Sequence, residues 1–410
     1  MSDLIQLGEL LDLVLEHQSP LPSVTVATLD ALGFVLSAPV MASESLPGFA
    51  NSAMDGYALR SSSTSGRGAT LRVVGSTMAG DAPRRLDTGE AVRIMTGAPL
   101  PEGADAVCIL EEVTQGADGT LRIPREIAPG TNVRLPGEDV TAGDLVIPRG
   151  SALSPAHLAL LAALGERSVS VHRQPVVAVL STGDELISDN GPLESGKIRD
   201  ANRPALIAML RLAGVRAIDH GIVGDDEDSL LGAMEHACAD CDAVVLSGGA
   251  SHGDRDSIAA VLSKLAGGDN VHALQIAIRP AKPFVFAEVG ASKLPVLGLP
   301  GNPVAALVAF ELIAKPLIRR LRGLPHSVRP LIAGIAAEDF PRRRDGKIHF
   351  LQASVHRDPS GVLLASAAPS QGPHTLASLS RSNALVVLND GDGARQGDRV
   401  ELLLFGLDEL

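Results

Sequence analysis

Hydrophobic positions follow two different spacings along this chain of 410 residues. Near the N-terminus they recur three and four residues apart, at Leu4, Leu7, Leu10, Leu11, Val14 and Leu15. This spacing predicts an amphipathic helix over residues 4–17. After Pro20 and Pro22 the pattern predicts a short strand and a second helical stretch. Residues 1–45 are therefore expected to form a helical entry segment.

Between residues 46 and 145 the pattern changes to short β-type runs separated by Gly, Asp and Pro turns. Examples are the runs at 71–74, 91–94 and 106–109. Beyond them, Ser154-Pro155 is a favourable start for a helix over 155–164, which Gly165 ends. We predict a β-rich domain at 46–145, inserted into a helical N-terminal domain made of residues 1–45 and 146–174.

From residue 175 to 326, apolar runs of strand length alternate with amphipathic segments of helix length. The predicted strands are Val176–Leu180, Val215–Val223, Ala243–Leu246, Ala273–Ile278 and Pro295–Leu297, and the predicted helices are near 202–213, 228–239, 255–265 and 303–321. This alternation is typical of an α/β domain with a parallel sheet. Residues 327–410 return to short strands and predict a small, barrel-like all-β domain. The expected fold class is a multidomain combination of α/β and β.

Composition narrows the choice of partners and compartment. The chain has 35 basic and 48 acidic residues, a formal charge of −13, and only nine aromatic residues of the Phe, Tyr and Trp types. It therefore lacks the basic surface and stacking platforms that nucleic-acid binding requires, and we expect no nucleic-acid or membrane partner. The absence of a signal-peptide pattern and the presence of only three cysteines favour a cytoplasmic location.

Three strands of the predicted α/β domain end in glycine-containing loops: Ser181-Thr182-Gly183-Asp184-Glu185, Ser247-Gly248-Gly249 and Leu299-Pro300-Gly301-Asn302. In a doubly wound sheet such loops meet at the carboxyl edge, where ligands bind. Glycine lets backbone N–H groups approach an anion, and the helices that follow point their N-termini at it. The loops therefore predict a site for a phosphate-bearing ligand, although a single such loop would indicate only a tight turn.

Charged residues at the same edge indicate how the phosphates are neutralised. Asp184, Glu185, Asp225, Asp226, Asp254 and Asp256 follow strand ends. Since Mg²⁺ is usually held by one or two carboxylates together with ligand phosphates, only some of these can be ligands and the others cap helices. Arg279 and Lys282, three residues apart, are placed to meet an oxyanion or pyrophosphate.

Other local motifs carry no chemistry. Cys238 and Cys241 form a C-x-x-C pair, but it closes a predicted helix, and no second pair completes a zinc site. Cys108 lies in a strand pattern and is expected in the core. No P-loop lysine motif occurs, which excludes that nucleotide-binding class.

Together the loops resemble the molybdopterin molybdenumtransferase family, which includes bacterial MoeA and the E domain of gephyrin. The resemblance covers nearly the whole chain. It is carried by residues 47–58 (PGFANSAMDGYA), 94–99 (IMTGAP), 181–186 (STGDEL), 247–249 (SGG) and 298–303 (GLPGNP).

The resemblance implies a homodimer in which the β-rich insert of one subunit completes the molybdopterin site of the other. The family reaction joins molybdate to adenylylated molybdopterin with Mg²⁺ and releases AMP. By position in the motifs, the resemblance implies catalytic roles for Asp55, Thr96, Asp139, Glu185 and Asp256, with Glu185 and Asp256 also as metal ligands. It implies substrate-binding roles for Ser181, Thr182, Gly183, Asp225, Ser247, Gly248, Gly249, Arg279, Lys282, Pro300, Gly301 and Asn302. A molybdopterin adenylyltransferase and molybdoenzyme acceptors are the implied protein partners.

Five features depart from the family pattern. Ala281 stands where the family has glycine in Pro-Gly-Lys-Pro, at a turn position with positive φ, and Arg279 replaces a usual lysine. His252 replaces a small apolar residue. Gln371-Gly372-Pro373 replaces Gln-Gly-Ser, and the arginine usual near the aromatic strand is not evident around Phe350. Two alternatives therefore stay open: a non-catalytic pterin-binding scaffold, and an unrelated nucleotide-sugar or phosphosugar binder.

Overall fold

The structure is a computed structural model that describes residues 4–66, 68–188, 191–248, 255–267 and 270–405, with the side chains of 255–257 left aside. Its α-helices are α1 Leu7–Leu15, α2 Pro155–Ala163, α3 Asn202–Leu212, α4 Glu227–Ala239, α5 Arg255–Ala266, α6 Pro303–Ala309, α7 Lys315–Leu321 and α8 Leu376–Leu379. A π-helical turn, Phe310–Ala314, joins α6 to α7. Within the described ranges, none of the helices is both long and apolar enough to cross a membrane.

The entry segment differs in part from its prediction. Helix α1 forms as expected, and its Leu10 and Val14 pack into the core of the α/β domain. Strand β1 (Ser23–Ala27) follows and pairs antiparallel with β12 (Ser168–His172). The prediction of a second helical stretch was wrong, because only the short 3-10 turn Thr28–Asp30 forms there.

The inserted region is β-rich, as predicted. Its strands are β3 Asn51–Ser52, β4 Gly56–Leu59, β5 Ala69–Thr77, β6 Glu90–Ile94, β7 Ala106–Ile109, β8 Thr114–Gln115, β9 Thr120–Ile123 and β10 Val133–Arg134, and the short strands β2 Val40–Met41 and β11 Leu145–Ile147 pair with each other at its border. Six of them form one sheet in the order β7-β4-β6-β5-β9-β8. Alternate residues such as Tyr57, Leu59 and Leu71 face one buried cluster, which explains the two-residue period of the sequence.

The α/β region contains β13 Val176–Thr182, β14 Leu186–Ile187, β15 Ile198–Arg199, β16 Arg216–Val223, β17 Ala243–Ser247, β18 Val271–Gln275, β19 Ile278–Arg279, β20 Pro283–Val289 and β21 Leu294–Leu299. Its six-stranded sheet has the order β16-β13-β17-β21-β20-β18. Four strands are parallel, as predicted, but β20 pairs antiparallel with both neighbours. The sheet is therefore mixed, and the strand β20 was not predicted.

The predicted strand Ala273–Ile278 is in fact two strands in different sheets. Its first part belongs to β18, whereas β19 leaves the α/β sheet and pairs with β24 of the C-terminal region. That region contains β22 Ile332–Ala336, β23 Phe340–Pro341, β24 Ile348–Arg357, β25 Leu363–Ala367, β26 Ala384–Leu388, β27 Gly393–Ala394 and β28 Arg399–Leu404. Pairing of β24 with β26 closes five strands into a small barrel, as the sequence predicts.

Candidate active site

The floor of the site is built from the ends of three parallel strands. Backbone atoms of the loops after β13, β17 and β21 approach each other closely: a Cβ on Gly248 would collide with the carbonyl oxygen of Thr182, and one on Gly301 would lie 3.7 Å from Cα of Gly248. Gly248 also has a φ of +106°, which side-chain-bearing residues rarely adopt. Glycine is therefore required at position 248 by both space and conformation.

Above this floor lies a cleft of about 510 Å³. Of the predicted substrate-binding residues, it is lined by Thr182, Gly183, Asp225, Ser247, Gly248, Pro300, Gly301 and Asn302. Ser181 is buried beneath it at 1% exposure. Gly249, His252 and Asp254 lie outside the described residues. The backbone of Asp256 belongs to α5, and its side chain is also outside the described part.

Carboxylates flank the cleft at the ends of β13 and β16. Asp225 accepts a hydrogen bond from the Thr182 hydroxyl over 2.9 Å and another from the backbone N–H of Asp184 over 3.2 Å. Asp184 in turn accepts from the backbone N–H of Asp225. The Glu185 carboxylate lies over Gly183, where a Cβ would come within 2.5 Å of Oε2. These hydrogen bonds join the loops that follow β13 and β16, and Glu185 is exposed beside them.

The carboxylate oxygens at the cleft suit a hard cation that is only partly coordinated by the protein. No group of three or more His, Cys, Asp or Glu side chains that could hold a metal ion occurs among the described side chains. Glu185 offers a carboxylate at the cleft, and oxygen ligands of this kind are those that Mg²⁺ takes together with substrate phosphates. The residues therefore fit a Mg²⁺ ion that binds with the ligand rather than a closed protein cage.

A second, larger cleft of about 930 Å³ adjoins the first and shares Pro283, Pro300 and Asn302 with it. The predicted cations Arg279 and Lys282 line it and are exposed. Because β19 pairs with β24, the barrel forms the opposite wall, and Arg279 lies beside His349.

The barrel adds cationic residues that the sequence did not reveal. Arg343 and Lys347 line the same cleft, next to His349. Burial lowers the pKa of His349, as do the charges of Arg342 and Arg279, against the opposing effect of its Asp345 partner. Because burial and neighbouring cations disfavour protonation, His349 adds a polar ring to the wall, whereas the positive charge comes from the arginines and lysines.

Ala281 holds the turn between the two cations in the expected conformation. Its φ is +75°, in the left-handed region, and its side chain is 3% exposed. Alanine therefore adopts the positive φ that the sequence predicts at this position, at a conformational cost of about 1–2 kcal/mol.

Replacing Ala281 by glycine is expected to change the free energy of unfolding by less than about 1 kcal/mol, because relief of the left-handed strain is offset by loss of a buried methyl group and by the greater entropy of an unfolded glycine. Urea denaturation measures this directly. Replacement by valine, whose branched Cβ is poorly tolerated at positive φ, should destabilise by more than about 2 kcal/mol. Equal effects of the two replacements would contradict the assigned turn.

The loops of the insert that carry Asp55, Thr96 and Asp139 lie together. Backbone hydrogen bonds join Ser52 to Gly97 and Ala98, and join the loop at 137–139 to Leu46 and Pro47. Asp55 Oδ1 accepts from the Thr96 N–H over 2.7 Å and from its hydroxyl over 2.9 Å. These bonds, the backbone one first, lower the pKa of Asp55 below its ordinary value.

These insert residues do not line either cleft of the same chain. Neither Asp55 nor Thr96 is among the side chains that form the two cavities, and the exposed Asp139 is not among them either. The structure thus places four of the five predicted catalytic residues in two groups, with Glu185 at the α/β cleft and Asp55, Thr96 and Asp139 on the insert, whereas the side chain of Asp256 lies outside the described part.

The cysteines are free thiols. Burial raises the pKa of Cys238 to about 11, with the charge of Cys241 adding to the effect. Because a thiol with a raised pKa stays protonated near neutral pH, Cys238 is a poor nucleophile and a poor metal ligand there.

The fold and clefts define a multidomain protein with a glycine-lined cleft at the carboxyl edge of an α/β sheet. Three family models match it: the MoeA N-terminal region (domain I and II) at residues 5–165, a molybdopterin binding domain described as probable at 178–320, and the MoeA C-terminal region (domain IV) at 333–405. The chain belongs to the molybdopterin molybdenumtransferase family.

Individual relatives agree with the family models. The chain is 37% identical over 380 residues to the molybdopterin molybdenumtransferase of Haemophilus influenzae, covering 92% of this chain and 93% of the relative. It is 36% identical to the protein of that name from a Nostoc species, covering 88% and 84%. The crystal structure of a molybdopterin biosynthesis MoeA protein from a Pyrococcus species superimposes with a TM-score of 0.80 at 30% identity, covering 98% of this chain and 99% of that one.

Proposed function

We propose that this protein is a transferase of molybdenum cofactor biosynthesis that joins molybdate to adenylylated molybdopterin and releases AMP. The observation that carries the proposal is the continuity of two clefts of different character. One has a glycine floor suited to phosphates, and the other is lined by the cations Arg279 and Lys282. A pterin nucleotide bound across the shared wall would bring its phosphoanhydride next to an oxyanion held by these cations.

Cleavage of a phosphoanhydride depends mainly on positioning and charge neutralisation, which this site provides. The N–H of Gly248 already donates to the carbonyl oxygen of Leu299 over 3.3 Å, so the hydroxyl of Ser247 would hold one phosphate, with the hydroxyl of Thr182 fixed by Asp225 beside it. Arg279 and Lys282 would bind molybdate and offset the negative charge that builds up during cleavage. Arg343 and Lys347 add to the positive potential from the barrel side.

We assign Glu185, together with Asp256, to the metal or to the attacking oxygen. Mg²⁺, when bound with the substrate, would neutralise phosphate charge and polarise the bond that breaks. Glu185 is placed for either role because its carboxylate stands exposed over the Gly183 loop. The roles of the individual carboxylates are predictions.

We further propose that the protein acts as a homodimer. The separation of Asp55, Thr96 and Asp139 from the clefts of their own chain supports this, because a partner's insert would bring such a group to the α/β cleft. A molybdopterin adenylyltransferase that supplies the substrate, molybdoenzymes that accept the product, and the cytoplasmic location remain predictions.

The decisive experiment measures AMP release from adenylylated molybdopterin and Mg²⁺, with and without molybdate. We expect release that depends on molybdate. Binding of the pterin nucleotide without release would instead support the scaffold alternative, which the transferase names of the relatives do not favour. If the protein does not bind the pterin nucleotide at all, both the transferase and the scaffold functions are excluded, and the cleft would bind another phosphate-bearing ligand.

A further inference from the structure

The cleft of about 510 Å³ at the carboxyl edge of the α/β sheet is the proposed phosphate cleft. Asn202, the first residue of α3, contacts two of the loops that form its floor. Its Nδ2 donates a hydrogen bond to Ser247 Oγ over 2.8 Å and another to the carbonyl oxygen of Gly301 over 2.7 Å. Ser247 ends β17 and Gly301 follows β21, the neighbouring parallel strand. One amide group therefore joins the ends of two strands that are far apart in sequence.

The orientation of this amide is fixed by chemistry. The carbonyl oxygen of Gly301 can only accept, so it must face Nδ2, and Oδ1 must point the other way. Within the described residues, Oδ1 is buried without a hydrogen-bond partner, as is the hydroxyl of Ser181, which lies opposite Ser247 in the sheet register. A buried acceptor without a partner costs stability, so fold stability alone does not explain why an asparagine stands here.

The start of α3 is held firmly at the sheet edge. Asp200 Oδ1 accepts from the backbone N–H groups of Asn202 and Arg203, each over 3.1 Å. Arg203 donates from Nε to Asp200 Oδ2 over 2.9 Å and also pairs with Asp219 on β16. The backbone of Asn202 is thus fixed relative to the sheet, and its side chain transmits that fixed position to both loops.

We propose that Asn202 is a positioning residue that sets the spacing between the Ser247–Gly248 loop and the Gly301 loop, and thereby the geometry in which the phosphates of adenylylated molybdopterin are held. This inference rests on the proposed function. Asn202 lines the cleft, but both hydrogens of Nδ2 are already donated to the protein. It therefore acts on the substrate through the loops.

The test uses Asn202→Asp, which keeps the shape of the side chain but places an oxygen against the Gly301 carbonyl. Repulsion between the two oxygens should move the loops apart. We expect the KM for adenylylated molybdopterin to rise about tenfold and the KM for molybdate to change less than about twofold, because the cations lie in the adjoining cleft. Asn202→Ala removes both hydrogen bonds without adding the negative charge of aspartate, so it too should raise the KM for adenylylated molybdopterin and leave the KM for molybdate nearly unchanged.

Asn383 provides a matched control. It makes two hydrogen bonds to Val355 in the barrel, from Nδ2 to the carbonyl oxygen over 2.8 Å and to Oδ1 from the N–H over 2.7 Å. Asn383→Ala removes the same number of bonds away from both clefts, so it should lower Tm and leave both KM values unchanged. If Asn202→Asp behaves in the same way, Asn202 is only structural and the inference is overturned.

A calorimetric titration with adenylylated molybdopterin separates this inference from the proposed function. If the wild-type protein binds the nucleotide but releases no AMP with molybdate, the transferase proposal fails, whereas about tenfold weaker binding by the uncharged variant Asn202→Ala still supports the positioning role. If Asn202→Asp binds as tightly as the wild-type protein, the positioning role is overturned whatever the activity.

Discussion

Replacing Glu185 by glutamine is expected to reduce molybdate-dependent AMP release by about 10²- to 10³-fold. The affinity for adenylylated molybdopterin should stay within about threefold of the wild-type value. The change removes one negative charge but keeps the shape of the side chain. Glu185 stands exposed at the cleft over Gly183, whereas in the proposed binding mode the hydroxyls and backbone of the surrounding loops hold the pterin nucleotide. Transition-state stabilisation should therefore be lost with little loss of ground-state binding.

Glu194 offers the matched control for this variant. It is an exposed carboxylate nine residues further along the chain and does not line the phosphate cleft, so Glu194→Gln should retain full activity. Single-turnover assays of AMP release, combined with calorimetric titration, measure both quantities. Full activity of Glu185→Gln would remove Glu185 from the reaction, and loss of nucleotide binding would assign it to substrate binding instead.

Local sequence patterns were sufficient to predict the parts of the site that belong to single βα units. The strand endings at Thr182, Ser247 and Leu299 follow from apolar runs that stop at glycine-containing loops. Parallel strands then bring those loops to one edge without further information, because crossover connections place all their carboxyl ends on the same side. Their observed convergence around one cleft thus has a simple topological cause.

Features that depend on contacts between distant segments were not predictable in this way. The run at 271–279 has one apolar pattern, but β19 leaves the α/β sheet because it finds a partner in β24, about 70 residues later. That pairing brings Arg343 and Lys347 to the cleft lined by Arg279 and Lys282. No local sequence pattern around Arg343 and Lys347 predicts this placement. The role of Asn202 likewise depends on two loops that meet only in the folded sheet.

Mixing two inactive variants is expected to restore activity if the active site is shared between subunits. We expect Asp55→Asn and Glu185→Gln each to be nearly inactive as homodimers. In a mixed dimer, one site would combine the intact Asp55 of one subunit with the intact Glu185 of the other. If subunits exchange at random in equal amounts, half of the dimers are mixed and half of their sites are intact, so activity should recover to about a quarter of the wild-type rate.

The physical basis of this expectation is the position of Asp55. Its carboxylate is oriented by Thr96 on the insert and lines neither cleft of its own chain, which is why we propose that it reaches substrate bound to another subunit. The control mixes Glu185→Gln with Arg279→Ala. Both residues lie on the α/β clefts of one chain, so every site in the mixed dimer carries a defect and activity should not recover. A mixture of the first pair that stays inactive, although light scattering shows mixed dimers, would exclude a shared site and leave Asp55 with a structural role in the insert.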